Sequence, residues 1–188
     1  NMDMHTSRLR LGFLAGLLAL AVALPLQTAM AVTGPEIDAK VKAALDRLHT
    51  EVKGSDAITS KASGVLVFPE VIKAGFVIAG EGGEGALRVG GKNVGYYTIF
   101  SGSVGLQAGG QKRDIIIAFM DAASLKKFEA SDGWKAGVDG SVALIDVGAG
   151  AAIDITKIKD PIVGFVVGQK GLMAGVSVDG SKITRVTK

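Results

Sequence analysis

The sequence predicts an α+β domain, in which an amino-terminal amphipathic helix and one short further helix cover a strongly curved, glycine-rich antiparallel β-sheet or barrel-like β structure. The first observation behind this prediction is an apolar helical stripe, and the second is a long succession of short β-branched segments after it. The third is glycine, which supplies 27 of the 188 residues, about double the usual share. Because these glycines interrupt runs of Val, Ile, Leu and Phe, they indicate bulges and close backbone contacts within strands rather than flexible loops.

The amino-terminal helix is predicted over Glu36–Lys53. Apolar residues recur there every three or four positions, which places them on one face of a helix. They are Ile37, Val41, Leu45, Leu48 and Val52. Acidic residues near the start, and a lysine followed by Gly54 at the end, agree with the helix dipole and with a glycine stop. The second, shorter helix is predicted over Ala122–Ala130, with Asp121 as its amino-terminal cap.

Short strands are predicted for the rest of the domain, because these segments are β-branched and bounded by turn residues. The predicted strands are 64–68, 75–79, 86–89, 96–100, 104–108, 114–120, 138–147, 151–155, 162–167, 172–178 and 182–186. Asp179 and Gly180, between the last two strands, indicate a tight hairpin turn. We therefore expect the last two strands to be antiparallel neighbours.

Gly80, Gly82 and Gly85 match the G-x-G-x-x-G pattern of a dinucleotide-binding loop. Such a loop must open a helix whose amino terminus faces the pyrophosphate. The residues from Ala86 to Gly91 instead indicate a second short strand and a turn. Two glutamates within the pattern would also repel a phosphate. We therefore interpret these glycines as a tight β connection and not as a nucleotide site.

Residues 1–31 resemble a cleavable secretory signal peptide. Arg8 and Arg10 precede an apolar run from Leu11 to Leu26, which is too short to span a bilayer comfortably, and an Ala-x-Ala ending at Ala31 follows. Cleavage there would leave a single domain of 157 residues with a net charge of +2. The predicted location is the periplasm or the outer envelope.

Composition narrows the classes of function. The absence of cysteine excludes disulfides, thiolate metal sites, cysteine nucleophiles and a lipoprotein form. Of the two histidines, His5 lies in the predicted signal peptide, so a catalytic triad or a zinc site would depend on His49 alone. A net charge of +2 without a dense basic patch does not indicate nucleic acid as a partner. We expect no catalytic residue, no metal site and no cofactor, and hence no enzyme.

Four separated segments resemble the SYLF domain family. They are ASGVLVFPEVIKAGF from Ala62, SGSVGLQAGGQ from Ser101, SDGWKAGVDGSVALIDVGAGAA from Ser131 and GLMAGVSVDGSKITRV from Gly171. The resemblance extends from about Glu36 to Lys188. It implies a domain that binds phosphoinositide membranes through an amphipathic helix and basic residues, and that is also associated with actin in eukaryotic relatives.

Eukaryotic relatives attach this domain to SH3 or FYVE modules, whereas bacterial relatives are usually exported stand-alone domains. The sequence contains no SH3 or FYVE module. An exported bacterial protein meets no actin filament, so actin is not expected as its partner. The resemblance then implies contact with an anionic phospholipid or membrane surface through the protein itself.

The resemblance places the membrane-binding segment of the family at the predicted helix Glu36–Lys53. The candidate lipid-binding residues are Lys40, Lys42, Arg47, Lys53, Lys61 and Lys73, together with the apolar Ile37, Val41, Leu45 and Leu48. An interfacial helix would bury its apolar residues near acyl chains while the cations meet anionic headgroups. In the alternative, the stripe packs on the sheet and the cations are solvated. Both interpretations hold if the helix is a detachable cover.

Two further features are candidates for lipid contact. Lys112 and Arg113 precede a predicted strand and form a second candidate headgroup patch, with solvated strand ends as the alternative. Trp134 is either an interfacial anchor or a partly buried residue at the edge of the core.

These features together predict a non-catalytic lipid- or membrane-binding protein of the bacterial envelope, which recognises phosphoinositide-like or phospholipid headgroups. The alternative is a structural or protein-interaction module of the envelope that binds an envelope protein without lipid specificity. An exposed apolar patch without a basic rim would favour the alternative.

Overall fold

One long helix lies across a curled, mostly antiparallel β-sheet in the computed structural model of the protein, which describes residues 32–74, 78–104, 111–148 and 150–188. The predicted signal peptide lies outside the described residues. The helices are α1 (Gly34–Glu51), α2 (Ser55–Lys61) and α3 (Ala122–Glu129), and Ile155–Lys157 form a 3₁₀ turn. The strands are β1 (Gly64–Ala74), β2 (Ile78–Val89), β3 (Lys92–Val104), β4 (Gln111–Phe119), β5 (Trp134–Lys135), β6 (Ala143–Leu144), β7 (Ile162–Gly168), β8 (Gly171–Leu172) and β9 (Lys182–Val186). The predicted α+β class, with an amino-terminal helix over a curved antiparallel sheet, is confirmed.

The helix α1 begins two residues before the predicted start because its first turn is capped. The Glu36 backbone N–H donates to Thr33 Oγ1 at 3.4 Å, and the Thr33 N–H donates back to Glu36 Oε2 at 3.2 Å. This reciprocal capping box satisfies two donors that the first turn leaves without a partner in the helix.

The helix α2 was not predicted from the sequence. It has seven residues and only one buried apolar side chain, Ile58, so it leaves no helical periodicity. Gly54 turns the chain between the two helices with a φ of 86°. A Cβ at Gly54 would also lie 2.5 Å from the carbonyl oxygen of Ile153. Glycine is therefore required at this turn both by conformation and by space.

The strand order across the sheet is β5-β9-β3-β2-β1-β4-β7-β6, with β8 paired to β7. The described pairings are antiparallel except that of β6 with β7. The carboxy-terminal strand β9 therefore lies beside β3 rather than beside the segment that precedes it. The sheet forms a curled half-barrel rather than a closed barrel.

The sheet has an apolar core on each of its two faces. On the first, here called the α1 face, α1 packs on residues such as Val67 and Ile116. On the second, here called the α3 face, α3 and the carboxy-terminal segments pack on the sheet. An aromatic cluster fills this second core, with ring centroids 4.8 to 6.2 Å apart. Its members are Tyr97, Phe119, Phe128 and Trp134. Trp134 is 2% exposed and belongs to the core, so its interpretation as an interfacial anchor is wrong.

The carboxy-terminal third contains less strand than predicted. Of the predicted strand 138–147 only β6 forms, of 172–178 only the first residue lies in a strand, and 151–155 is not a strand. The turn at Asp179 and Gly180 exists, since the Ser181 N–H donates to the Val178 carbonyl at 3.1 Å. The segment before it does not pair with β9, however, which pairs with β3 and β5. The predicted hairpin is therefore wrong, because a turn signal fixes only the chain reversal, whereas packing selects the partner strand.

The three glycines of the G-x-G-x-x-G pattern lie inside the continuous strand β2, so they form neither a helix-opening loop nor the predicted tight connection. The connection between β2 and β3 lies at Gly90 and Gly91, both with positive φ. Gly85 has a different role, since a Cβ there would overlap the Val67 carbonyl oxygen and lie 2.8 Å from Phe68 Cδ1. The close approach of β1 and β2 at this point requires glycine.

A buried carboxylate joins α1 to an irregularity in β1. The register of β1 shifts between Phe68 and Val71, where Glu70 has a positive φ of 52°. Asp114 on β4 accepts a hydrogen bond from the Glu70 N–H at 3.0 Å, and also from Arg47 Nε at 2.8 Å and Arg47 Nη2 at 3.0 Å. The hydrogen bond to Asp114 raises the pKa of Arg47, although burial opposes the shift. The Arg47–Asp114 pair therefore holds the helix and the bulge in one arrangement.

We predict that Asp114→Asn lowers the free energy of unfolding by about 2 kcal/mol, measured by urea denaturation, because a buried charge-assisted network loses its acceptor charge. The loss stays below that of a fully buried pair because the Arg47 side chain is 46% exposed. Asp46→Asn is the matched control, since Asp46 pairs with Lys42 where both side chains are more than half exposed. This control should cost about 0.5 kcal/mol or less. Equal losses in the two variants would contradict the structural role of Asp114.

We also predict that Gly85→Ala destabilises the domain by at least about 2 kcal/mol, because the added methyl group meets backbone that cannot move aside. The control is Gly82→Ala in the same strand, where the nearest atom to a Cβ is the Ile99 carbonyl oxygen at 3.7 Å. Thermal unfolding should separate the two variants clearly. A Gly85→Ala protein as stable as Gly82→Ala would show that β1 and β2 are not closely apposed there.

Candidate functional site

The apolar residues predicted to bind lipid lie in the core between α1 and the sheet. Ile37, Val41, Leu45 and Leu48 are at most 8% exposed. In this arrangement α1 presents its polar face to solvent, as in the alternative that the sequence left open. Contact of these four residues with lipid would require α1 to leave the sheet.

The cations predicted on and near α1 are brought next to carboxylates in three of six cases. Arg47 is held by Asp114, as described above. Lys40 Nζ lies 3.3 Å from Glu70 Oε2. Lys42 Nζ lies 3.0 Å from Asp46 Oδ2. These local pairs neutralise much of the positive charge along the helix.

The other three predicted cations lie away from α1 itself. Lys53 follows the helix, and Lys61 is the last residue of α2; both are exposed. Lys73 lies in β1, but its side chain is outside the described part of the structure. The predicted lipid-binding residues are therefore divided between the buried core and cations on several elements of the described structure.

A different surface appears where the sheet extends beyond α1. One residue from each of six neighbouring strands lies in a single line across the sheet, because each is the direct register partner of the next. In order from β5 to β4 these residues are Lys135, Lys182, Phe100, Gly82, Ile72 and Lys112, and all six are exposed. We call this line the exposed row. At a strand spacing of about 4.8 Å it is roughly 24 Å long.

The exposed row lies on the α1 face of the sheet. Side chains alternate between faces along a strand, and the neighbours Trp134, Ile183 and Ile99 are buried in the core of the α3 face. Lys135, Lys182 and Phe100, each one position away, must therefore project from the opposite face. On β4, Lys112 lies two positions before Asp114, which contacts α1 through Arg47. The row therefore lies on the same face as α1, next to the part of the sheet that the helix covers.

The centre of the exposed row is apolar. The side chains of Phe100 and Ile72 are 61% and 43% exposed, whereas most large apolar residues of the described structure are buried. Gly82 lies between them and carries no side chain, which leaves a shallow gap. The Phe100 ring leans towards Gly80, where a Cβ would lie 3.3 Å from Phe100 Cε2.

The ends of the exposed row are cationic. Lys135 and Lys182 are adjacent at one end, and Lys112 lies at the other. Within residues 32–74, 78–104, 111–148 and 150–188, no salt bridge or side-chain hydrogen bond involves these three ammonium groups. The row therefore combines two exposed apolar side chains with three cations whose ammonium groups form no salt bridge within the described residues.

Sequence reasoning identified only Lys112 of this surface as a candidate for headgroup contact. The other members come from five separate strands, and their alignment depends on register, which the sequence does not specify. One signal was present: in the segment 96–100 the alternation of β3 places Phe100 on the face opposite to Tyr97 and Ile99. Because α1 does not cover Phe100 on that face, this exposed apolar residue marks an interaction surface.

The described structure offers neither a metal-ligand cluster nor a membrane-spanning helix. Among its residues, no group of three or more His, Asp and Glu side chains could hold a metal ion. Of the helices that the structure describes, none has the length and apolarity needed to span a bilayer.

The carboxy-terminal part of the chain is similar to a known protein family. Residues 100–188 match the family model described as Ysc84, Las17-binding protein actin regulator. No curated protein matches the chain. The matched region begins at Phe100 and contains four of the six members of the exposed row, while Ile72 and Gly82 precede it. The family comprises binding domains, is linked to lipid and actin, and is not a known catalytic family. The protein thus carries a Ysc84/SYLF domain over residues 100–188.

Proposed function

We propose that this domain is a non-catalytic binding module for anionic lipid surfaces, and that the exposed row is its contact surface. Phe100 and Ile72 enter the interfacial region of the lipid layer, and Lys112, Lys135 and Lys182 meet the headgroups on both sides. The observation that supports this function is the apolar centre with unpaired cations at its two ends. The family link to lipid supports the same ligand class.

The arrangement of charge distinguishes a lipid surface from the alternative of a protein partner. An apolar patch without a basic rim would favour a protein-interaction module of the envelope. The patch here has lysine at both ends, and anionic lipid attracts each such cation by about 1 kcal/mol near the surface. Three lysines then contribute about 3 kcal/mol, and the insertion of two apolar side chains adds to this. The binding expected is reversible and depends on salt.

Insertion of α1, which the sequence analysis proposed, is a second route to the same ligand. It would expose Ile37, Val41, Leu45 and Leu48, which are buried here, and it would break the Arg47–Asp114 pair. The exposed row binds lipid without either change, because its six residues are already at the surface. We therefore propose the row as the primary contact.

The export signal predicted at residues 1–31 leads us to propose the bacterial envelope as the site of action. Actin is the other ligand linked to the family. Co-sedimentation with filamentous actin, measured beside lipid binding, would show whether the row also serves that ligand.

The first test is vesicle flotation with purified protein. Lys112→Gln/Lys135→Gln/Lys182→Gln should weaken binding to vesicles containing phosphatidylglycerol about a hundredfold, because about 3 kcal/mol of headgroup attraction is lost. The matched control, Lys92→Gln/Lys126→Gln/Lys159→Gln, removes three exposed lysines outside the row and should change the affinity by less than about threefold. Equal effects of the two triple variants, or no binding by the unchanged protein at low salt, would refute the proposal.

The second test separates the exposed row from insertion of α1. Asp114→Asn loosens the attachment of α1, so insertion of the helix predicts tighter vesicle binding in this variant. Binding through the row predicts an affinity within about twofold of the unchanged protein, while Phe100→Ser should weaken it about tenfold or more. A marked gain in affinity for Asp114→Asn, with no effect of Phe100→Ser, would favour the helix.

A further inference from the structure

A cavity of about 420 Å³ opens between the helices α1 and α2 and the turn that joins β2 to β3. His49 lines it from α1, and Thr59 and Ser60 line it from α2. Arg88, near the end of β2, lines the side that faces the helices. The volume lies within the range of about 300 to 1,000 Å³ that is usual for small-molecule sites. The cavity is separate from the exposed row, since no row residue is among its lining residues in the described structure.

Hydrogen bonds between the two helices form one wall of this cavity. The buried Ser55 hydroxyl donates to the Val52 carbonyl at 2.6 Å, which fixes the start of α2 at the end of α1. His49 Nε2 lies 2.9 Å from Thr59 Oγ1, and the Thr59 hydroxyl donates to the Asp56 carbonyl at 3.2 Å. Because a hydroxyl has one hydrogen, His49 Nε2 is the donor in the first of these bonds. The wall is therefore held in place by the protein itself.

The floor of the cavity is apolar and carries an arginine at its edge. Leu45 and Val65 line the floor and are at most 8% exposed. Arg88 is the direct register partner of Val65, so its half-buried side chain begins beside this floor. In the part of the chain that the structure describes, no salt bridge involves the Arg88 guanidinium. A guanidinium in this position can donate hydrogen bonds to an anion that enters the cavity.

The other charges of the cavity balance each other. Lys42 and Asp46 both line it, but they pair with each other at 3.0 Å. Asp38, one turn before Lys42, accepts two hydrogen bonds from side chains of β3 and is not a lining residue. The arginine is therefore the one cation without a counterion among the lining residues described. This balance favours a ligand with one negative charge over a phosphomonoester, which carries about −1.5 to −2 charges and would also meet the Asp46 carboxylate.

We propose that this cavity binds a small organic monocarboxylate with an apolar body. The planar fork of Arg88 donates two parallel hydrogen bonds to the carboxylate, a geometry that an ammonium group does not offer. The apolar body covers Leu45 and Val65, and a hydroxyl group of the ligand exchanges hydrogen bonds with the polar helix wall. The site does not rest on the proposed function, because neither the exposed row nor a lipid layer contributes to it.

The ligand class is tested by NMR titration of the lipid-free protein near pH 7. The probe is para-hydroxybenzoate, which combines a carboxylate, an apolar ring and a hydroxyl group, and para-hydroxybenzamide is its neutral match. The Hε1 signal of His49, distinguished from that of His5 with His5→Gln, should shift saturably with the acid. The amide should bind about tenfold more weakly, the equivalent of about 1.4 kcal/mol. Absence of a saturable shift with the acid, or equal affinity for acid and amide, would overturn the site.

The role of the arginine is tested with matched variants. Arg88→Gln should weaken binding of the acid about tenfold, and Arg88→Lys, which keeps the charge without the fork, should lie between this variant and the unchanged protein. The control Arg185→Gln removes an exposed arginine that lies over the Tyr97 ring, outside the cavity, and should leave the affinity within about twofold. Equal affinity in Arg88→Gln and Arg185→Gln would overturn the assignment.

The comparison of acid with amide uses the unchanged protein, so it decides the ligand class even if Arg88→Gln does not fold. Vesicle flotation decides the proposed function independently. Saturable binding of the acid by a protein that does not float with vesicles would overturn the proposed function and support the carboxylate site.

Discussion

The central strands of this sheet bury side chains on both faces, and this constraint governs the rest of the structure. In β4, Ile116 and Ala118 face α1 while Ile115, Ile117 and Phe119 face α3. Apolar residues on both faces must be covered, because exposing either face to water would remove the favourable free energy of apolar burial that stabilises the domain. The helix α1 is therefore a structural layer of the fold and not an appendage to it.

Polar contacts then determine where α1 lies on that surface. At its amino-terminal end Asp38 accepts hydrogen bonds from Tyr96 at 3.0 Å and Asn93 at 2.7 Å, and the bond to Asp38 raises the pKa of Tyr96. Towards the other end, Arg47 is held by Asp114. These contacts tie the helix to β3 and to β4, on opposite sides of β1 and β2. They anchor the helix at both ends and leave the sheet beyond it uncovered.

This limited coverage explains why a surface for binding exists on the same face as a buried helix. The sheet extends beyond the part that α1 covers. Phe100 and Ile72 lie outside the covered part and are exposed, whereas Val67 and Ile116 lie under the helix and are buried. The binding surface and the core are thus neighbouring parts of one face.

The sequence by itself determined the helix α1, the α+β class, the glycine-rich curvature and the exclusion of a nucleotide loop, because these depend on local periodicity and turn chemistry. It also indicated Lys112 as a candidate cation. It did not reveal α2, whose single buried apolar residue leaves no periodic signal, or the partner of β9, which a turn signal does not specify. Only the tertiary structure shows that the apolar stripe of α1 is buried and that Arg47 forms an ion pair with Asp114. The exposed row is likewise a product of strand register, since lysine, phenylalanine and isoleucine residues far apart in the chain become neighbours only when six strands are aligned.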